Sequence, residues 1–182
     1  MNTDEVYFAK VKPNAIIPTK REEDAGYDVY ACFEEDFIEI RRNEIKVIPT
    51  GIASAFSNGY GFIIKERGST GTKGLAVRAG VFDSGFRNEW QVVINNISNK
   101  PIYIAKDITK VLKHERKQWK LTEEDISDEQ ILEIITFYPY DKAIAQAIFI
   151  WLPKAKIEII SYNDLLKIES ERGLGMLDST NK

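Results

Sequence analysis

Residues 67–90, RGSTGTKGLAVRAGVFDSGFRNEW, gather the residue types that bind an oxyanion and activate a water. Five of the chain's eleven glycines lie here, with three arginines, one lysine and a single carboxylate, Asp83, ahead of Glu89. Glycine lets backbone N–H groups come close to an anion and permits the positive φ of strung-together anion-binding turns. Ser69, Thr70 and Thr72 offer hydroxyl donors, while Arg67 and Lys73 offer charge suited to phosphate oxygens. A short apolar approach, AGVF, then leads to Asp83 and a Ser84-Gly85 turn. The pattern is that of a phosphate cradle followed by a carboxylate on a tight hairpin. It lacks the Gly-Lys-Ser/Thr that a Walker A loop needs. Residue types alone leave a plain Gly/Ser-rich surface hairpin as the default reading.

The elements that must position this stretch are strands. Tyr7, Ala9 and Val11 alternate with Phe8 and Lys10, as in a half-buried strand. After the charged loop PNAIIPTKREED, the segment AGYDVYACF puts Tyr27, Val29 and Ala31 on one face and Asp28, Tyr30 and Cys32 on the other. Strand patterns follow at residues 37–40, 45–56 and 60–65, with Asn58-Gly59 as a two-residue hairpin signal between the last two. Residues 90–97 and 102–105 are again strand-like. The run AIAQAIFIWL predicts a buried strand whose amide, Gln146, needs either a structural partner or a function. Residues 155–160 predict a last strand, with a short helical turn after Ser161. Many short strands separated by turn residues predict an all-β sandwich or jelly roll.

Composition bounds the function. With 25 Lys+Arg against 28 Asp+Glu the formal net charge is −3, which argues against a general nucleic-acid binder. One cysteine, Cys32, excludes an intramolecular disulfide and suits a reducing, cytoplasmic setting. The first residues, MNTDEVYFAKVK, predict no signal peptide, and no apolar run approaches membrane-spanning length.

Residues 106–140 break the strand pattern. Ser127 and Gln130 have capping-box spacing, and Ile126 with Ile131 can form a hydrophobic staple, predicting one short amphipathic helix from Asp128. The segment reads as a solvated excursion carrying one helix, or alternatively as a protein-partner element. His114, the chain's single histidine, reads as a surface residue.

Residues 67–75 followed by AGVFDSGFRNEW resemble the second and third motifs of the trimeric dUTP pyrophosphatases (dUTPases). The other three motifs have counterparts in order: residues 25–31 (AGYDVYA), 141–146 (DKAIAQ) and 172–180 (RGLGMLDST). The resemblance implies one dUTPase-like jelly-roll domain over residues 1–168, with an insertion at about 106–140 and a flexible arm at 169–182. It implies Mg²⁺-dependent hydrolysis of dUTP to dUMP and pyrophosphate by a cytoplasmic homotrimer. Asp83 would activate the water that attacks the α-phosphorus. Asp28 would bind Mg²⁺ through water. Arg67, Gly68, Ser69, Arg172, Ser179 and Thr180 would serve the phosphates, and Gln146 would hold phosphate or the catalytic water. The hairpin carrying Gly80, Val81 and Phe82 would read uracil, with Phe86 against the deoxyribose.

Departures from the family pattern fall at Gly68, Phe86, Asn88, Ala143, Leu177 and Asp178. Two other readings stay open. One is a dUTPase-like protein-interaction module with weakened catalysis, using the insertion. The other is the related dCTP deaminase family.

Overall fold

A computed structural model describes residues 5–171 and 174. The chain divides into two compact units, 1–152 and 153–182. The first unit contains β1 (Val6–Lys10), β2 (Gly26–Val29), β3 (Phe37–Ile40), β4 (Ile45–Pro49), β5 (Ile52–Phe56) and β6 (Tyr60–Lys65). After the single helical turn α1 (Gly68–Gly71) come β7 (Leu75–Arg78), β8 (Val81–Asp83), β9 (Gln91–Asn96) and β10 (Ile102–Ala105). Helices α2 (Ile108–Trp119) and α3 (Asp128–Ile134) precede β11 (Thr136–Pro139) and β12 (Ala145–Trp151).

The strands form sheets ordered β2-β12-β6-β8, β4-β9-β7, β11-β10-β3 and β1-β5, an all-β sandwich of the jelly-roll class. Between them lies an aromatic core. Trp90 is fully buried and stacks on Phe82 at 4.4 Å, with Phe62 and Phe8 edge-on at 5.1 and 5.5 Å. Its indole Nε1 donates to Ser54 Oγ at 3.1 Å, which satisfies the one polar atom it takes into the core. On β1 the inward residues are Val6 and Phe8, which pack against this core, while Tyr7 and Ala9 face solvent.

Three strand expectations are corrected. Residues 45–56 are two strands, because the chain turns at Gly51, where φ is +69°. A Cβ there would lie 2.8 Å from Ala15 Cβ and 2.9 Å from Cys32 Sγ, so only glycine fits. Asn58-Gly59 makes no β5–β6 hairpin: β5 pairs with β1, and β6 pairs with β12 and β8. Likewise the Ser84-Gly85 turn closes no hairpin: β8 pairs with β6, and the next strand, β9, pairs with β4 and β7. In both places the turn carries the chain from one sheet to another.

Residues 106–140 hold more structure than the single helix expected. α3 begins as predicted, with Ser127 and Gln130 forming both halves of the capping box. The longer helix α2 was not expected. Asp107 caps it by accepting from Thr109 N–H at 2.9 Å, and Lys120 closes it in the left-handed conformation. Val111, Leu112, Ile131 and Ile135 bury a second apolar cluster against Tyr103 and Ala105 of β10. Glu115, 4% exposed, accepts from the Tyr103 hydroxyl and from Trp119 Nε1. Burial first, then the bond to Glu115, pushes the Tyr103 hydroxyl far above its ordinary pKa. His114 is not a plain surface residue either. Its ring meets Phe37 edge-on at 5.0 Å and its Nε2 is buried.

In the second unit, residues 153–160 have neither helix nor strand, and Ile157 and Ile159 are almost fully exposed. The strand expected there forms no ladder among the described residues. The expected turn is α4 (Tyr162–Leu165), capped by the Ser161 hydroxyl, which accepts from Asp164 N–H.

Candidate active site

A cavity of about 690 Å³ opens where β2, β12 and the residues after β6 converge, and Asp28, Arg67, Gly68, Ser69 and Gln146 all line it. β12 runs antiparallel to both neighbours, placing Gln146 opposite Asp28 on β2 and Lys65 on β6. Arg67 follows β6 by two residues, so its side chain reaches Asp28. Nε lies 2.8 Å from Oδ1, and Nη2 donates to Oδ2 at 3.3 Å. Its Nη1 also reaches the Ala143 carbonyl at 3.4 Å. That carbonyl is fixed by the buried Tyr138 hydroxyl, which donates to it at 2.6 Å.

Gln146 has the structural partner that a half-buried amide requires: Nε2 donates to the Glu66 carbonyl at 2.7 Å. Gly26 lies flat against it, since a Cβ there would come within 2.8 Å of Gln146 Oε1. Glu66 braces the same corner, its Oε1 accepting from Val77 N–H at 2.7 Å. Burial works to raise the Glu66 pKa. Backbone N–H bonds from Glu66 and Val77, together with Lys65, outweigh it and hold the carboxyl below its ordinary value.

The donors expected of the cradle divide sharply. Ser69 is exposed and faces the cavity. Thr70 is fully buried, accepting from Arg67 N–H at 2.9 Å and donating to the Arg67 carbonyl at 3.1 Å. Thr72 donates to the Gly68 carbonyl at 2.8 Å. These two hydroxyls shape the helical turn and do not line the cavity. Lys73 does not line it either.

Gly80, Val81, Phe82, Asp83 and Phe86 form a separate group. Gly80 is required by a close approach: a Cβ there would lie 2.5 Å from the Ile64 carbonyl. Phe82 is buried on Trp90, and Phe86 leans on Phe82 at 5.7 Å with about a third of its surface exposed. Val81 and Asp83 point outward. The Ser84-Gly85 turn forms as expected, with Phe86 N–H donating to the Asp83 carbonyl at 3.1 Å and Arg87 bonded to the Ser84 carbonyl.

Asp83 is opposite Gly61 on β6, whereas Gln146 is opposite Lys65. The two are thus about 13 Å apart along the strand and ~10 Å across the sheet. One chain therefore brings together the cradle residues but not Asp83. Arg172, Ser179 and Thr180, with Leu177 and Asp178, lie outside the described residues.

The dUTPase family model matches residues 12–123, well over half of the chain. The chain belongs to the dUTPase family. Among curated relatives, a deoxyuridine 5'-triphosphate nucleotidohydrolase of Leptospira interrogans is 25% identical over 127 residues, 68% of this chain and 87% of its own length. A namesake from Rickettsia prowazekii is 33% identical, covering 56% of this chain and 72% of its own length. The Pol polyprotein of caprine arthritis encephalitis virus is 36% identical over 53% of this chain, which spans only 8% of that polyprotein. The dUTPase fold is also that of the Staphylococcus bacteriophage 80alpha dUTPase solved with dUPNHPP. That structure has a TM-score of 0.71 at 19% identity, covering 99% of this chain and 100% of the other. A phage phi11 dUTPase, described as showing a species-specific insert, has a TM-score of 0.61 at 17% identity, covering 86% and 96%.

Reasoning from residue types missed part of the cavity wall. Thr19, Lys20, Arg21 and Asp24 line it from the loop before β2. The charges of PTKREED read as a solvated loop. The available signal was position, because the loop leads directly into the strand that carries Asp28.

Proposed function

We propose that this dUTPase-family chain hydrolyses dUTP to dUMP and pyrophosphate as a homotrimer. The observation that carries the reading is the convergence of Asp28, Arg67, Ser69 and Gln146 on one polar cavity in a chain of this family. Arg67 supplies a bidentate cation and Ser69 a hydroxyl donor for phosphate oxygens. Asp83 takes a proton from a water whose oxygen attacks the α-phosphorus, and the bond from that phosphorus to the bridging oxygen breaks, releasing pyrophosphate. The buried Phe82 fixes the segment that carries Asp83, and Phe86 offers an apolar face to the deoxyribose.

The separation of Asp83 from Gln146 supports the trimer, since a site holding both needs Asp83 from another subunit. Among the described residues no three His, Cys, Asp or Glu side chains cluster to hold a metal. A single carboxylate suits Mg²⁺ that arrives on the triphosphate and keeps most of its water, with Asp28 as its one protein contact through water. When bound there, the ion would draw negative charge away from the phosphates.

Pyrophosphate release measured with Mg²⁺ across dUTP, dCTP, dTTP and UTP tests the reading. Turnover of dUTP alone is expected. Ammonia release from dCTP would point to the deaminase alternative. The protein-interaction alternative has one observation behind it: an apolar groove in the insertion lined by Trp119, Leu121, Ile126, Ile131 and Ile134. A trimer inert toward all four nucleotides would favour it.

A further inference from the structure

We infer that Lys20, in the loop before β2, binds the pyrophosphate portion of the nucleotide; this rests on the dUTP reading above. Three cations line the cavity: Lys20, Arg21 and Arg67. Two of them are already neutralised. Arg67 is held by Asp28 through both carboxylate oxygens. Arg21 is held by Asp24, Nε to Oδ2 and Nη2 to Oδ1, both at 2.9 Å. Among the described residues, Lys20 makes no ion pair. Among the described residues that line the cavity, it is the cation that can meet an incoming polyphosphate without first breaking a direct ion pair.

Its position is built rather than incidental. Asp28 N–H donates to the Thr19 carbonyl at 2.8 Å, an isolated antiparallel bridge that fixes the root of the loop beside Asp28. The Arg21–Asp24 pair and the turn bond from Asp24 N–H to the Arg21 carbonyl close the loop on itself. Lys20 Nζ is 5.6 Å from the centre of the Tyr27 ring and donates to the Arg21 and Glu22 carbonyls, each at 3.2 Å. An ammonium has three donors, so one remains, and the two engaged bonds are long and neutral. A phosphate oxygen offers a shorter, charge-assisted bond in their place. None of the residues of the Gly80 to Phe86 segment lines this cavity. Within one chain the lining is thus polar and cationic, which suits the phosphates.

The test compares binding of α,β-imido-dUTP and of dUMP to the trimer by calorimetry, for wild type, Lys20→Met, Lys20→Arg and Lys73→Met. Lys20→Met should weaken α,β-imido-dUTP roughly tenfold, the loss of one charge-assisted bond, and leave dUMP within about twofold. Lys20→Arg should retain most of the affinity. Lys73→Met, which removes a charge away from the cavity, should change neither. Lys20 is exposed, so melting temperatures should stay together and exclude misfolding. Equal affinities of Lys20→Met and wild type for α,β-imido-dUTP would overturn the assignment while leaving the dUTP reading standing. Equal losses for both ligands would overturn it too, because Lys20 would then act on the α-phosphate or on the loop. A wild type that binds neither ligand would overturn the dUTP reading, and this inference with it.

Discussion

Arg67 and Asp28 neutralise each other across the cavity wall, paired at 2.8 Å and 3.3 Å with each side chain about one-third exposed. The arginine that would hold phosphate is thus engaged by the carboxylate that would hold the metal, so a nucleotide carrying Mg²⁺ competes for both halves of the pair at once. Asp28→Asn should tighten α,β-imido-dUTP binding a few-fold in EDTA, by freeing Arg67, and lower kcat/KM with Mg²⁺. Weaker binding in EDTA would show that Asp28 positions Arg67 productively.

Asp83 is the one carboxylate on its segment before Glu89, and it points outward from β8. Asp83→Asn should lower kcat by about 10²–10⁴-fold while α,β-imido-dUTP still binds, as expected for loss of a general base. Near-normal turnover would remove Asp83 from the reaction.

The register on β6 makes a sharper prediction about assembly. Arg67→Ala and Asp83→Asn homotrimers should each be nearly inactive. Co-expressed and purified as mixed trimers, they should recover roughly a quarter of the wild-type sites, because each competent site then takes its cradle and its Asp83 from different chains. No recovery in a verified mixture would place both residues in one chain's site.

Glu66 ties the start of the cradle to β7 as a carboxylate. Its folded pKa lies below its ordinary 4.5, so its contribution is present above that value and is lost as pH falls through the folded pKa. Glu66→Gln should cost ~1 kcal/mol at pH 7, about 2–4 °C in melting temperature, with the gap to wild type closing as pH falls below the ordinary 4.5 and through the lower folded pKa. A gap that persists in acid would mean that packing, and not charge, is what the substitution removes.

The helical segment of residues 106–140 should matter for stability and not for chemistry, since its buried residues pack against β10 and none lines the cavity. Replacing residues 110–133 by a Gly/Ser linker should leave kcat within a few-fold. It should also destabilise the fold, because Val111, Leu112 and Ile131 each lose burial worth about 1.5–3 kcal/mol. Thermal melts and dUTP turnover on the same trimeric preparation check both halves.

Short-range chemistry was legible in the sequence. The bounds of β3, β6 and β10 follow from short apolar runs set between turn residues, and the start of α3 follows from Ser127 and Gln130, whose reciprocal bonds span three residues. The spacing of Asp107 and the buried Val111, Leu112 and Glu115 carried α2 as well, but its charge obscured the apolar face. The residue types of the cradle were legible in the same way, although which of its hydroxyls were free was not. Thr70 and Ser69 are neighbours with the same functional group, and only the fold turns one inward to cap the turn and leaves the other facing the cavity. Tertiary structure alone decided which sheet each strand joined, that Gly80 must admit the Ile64 carbonyl, and that Lys20 shares a wall with Arg67. It also set Asp83 four residues from Gln146 along β6. The physical reason is range. Periodicity and capping record bonds between residues a few positions apart, whereas strand register and cavity walls are set by burial among segments distant in the chain.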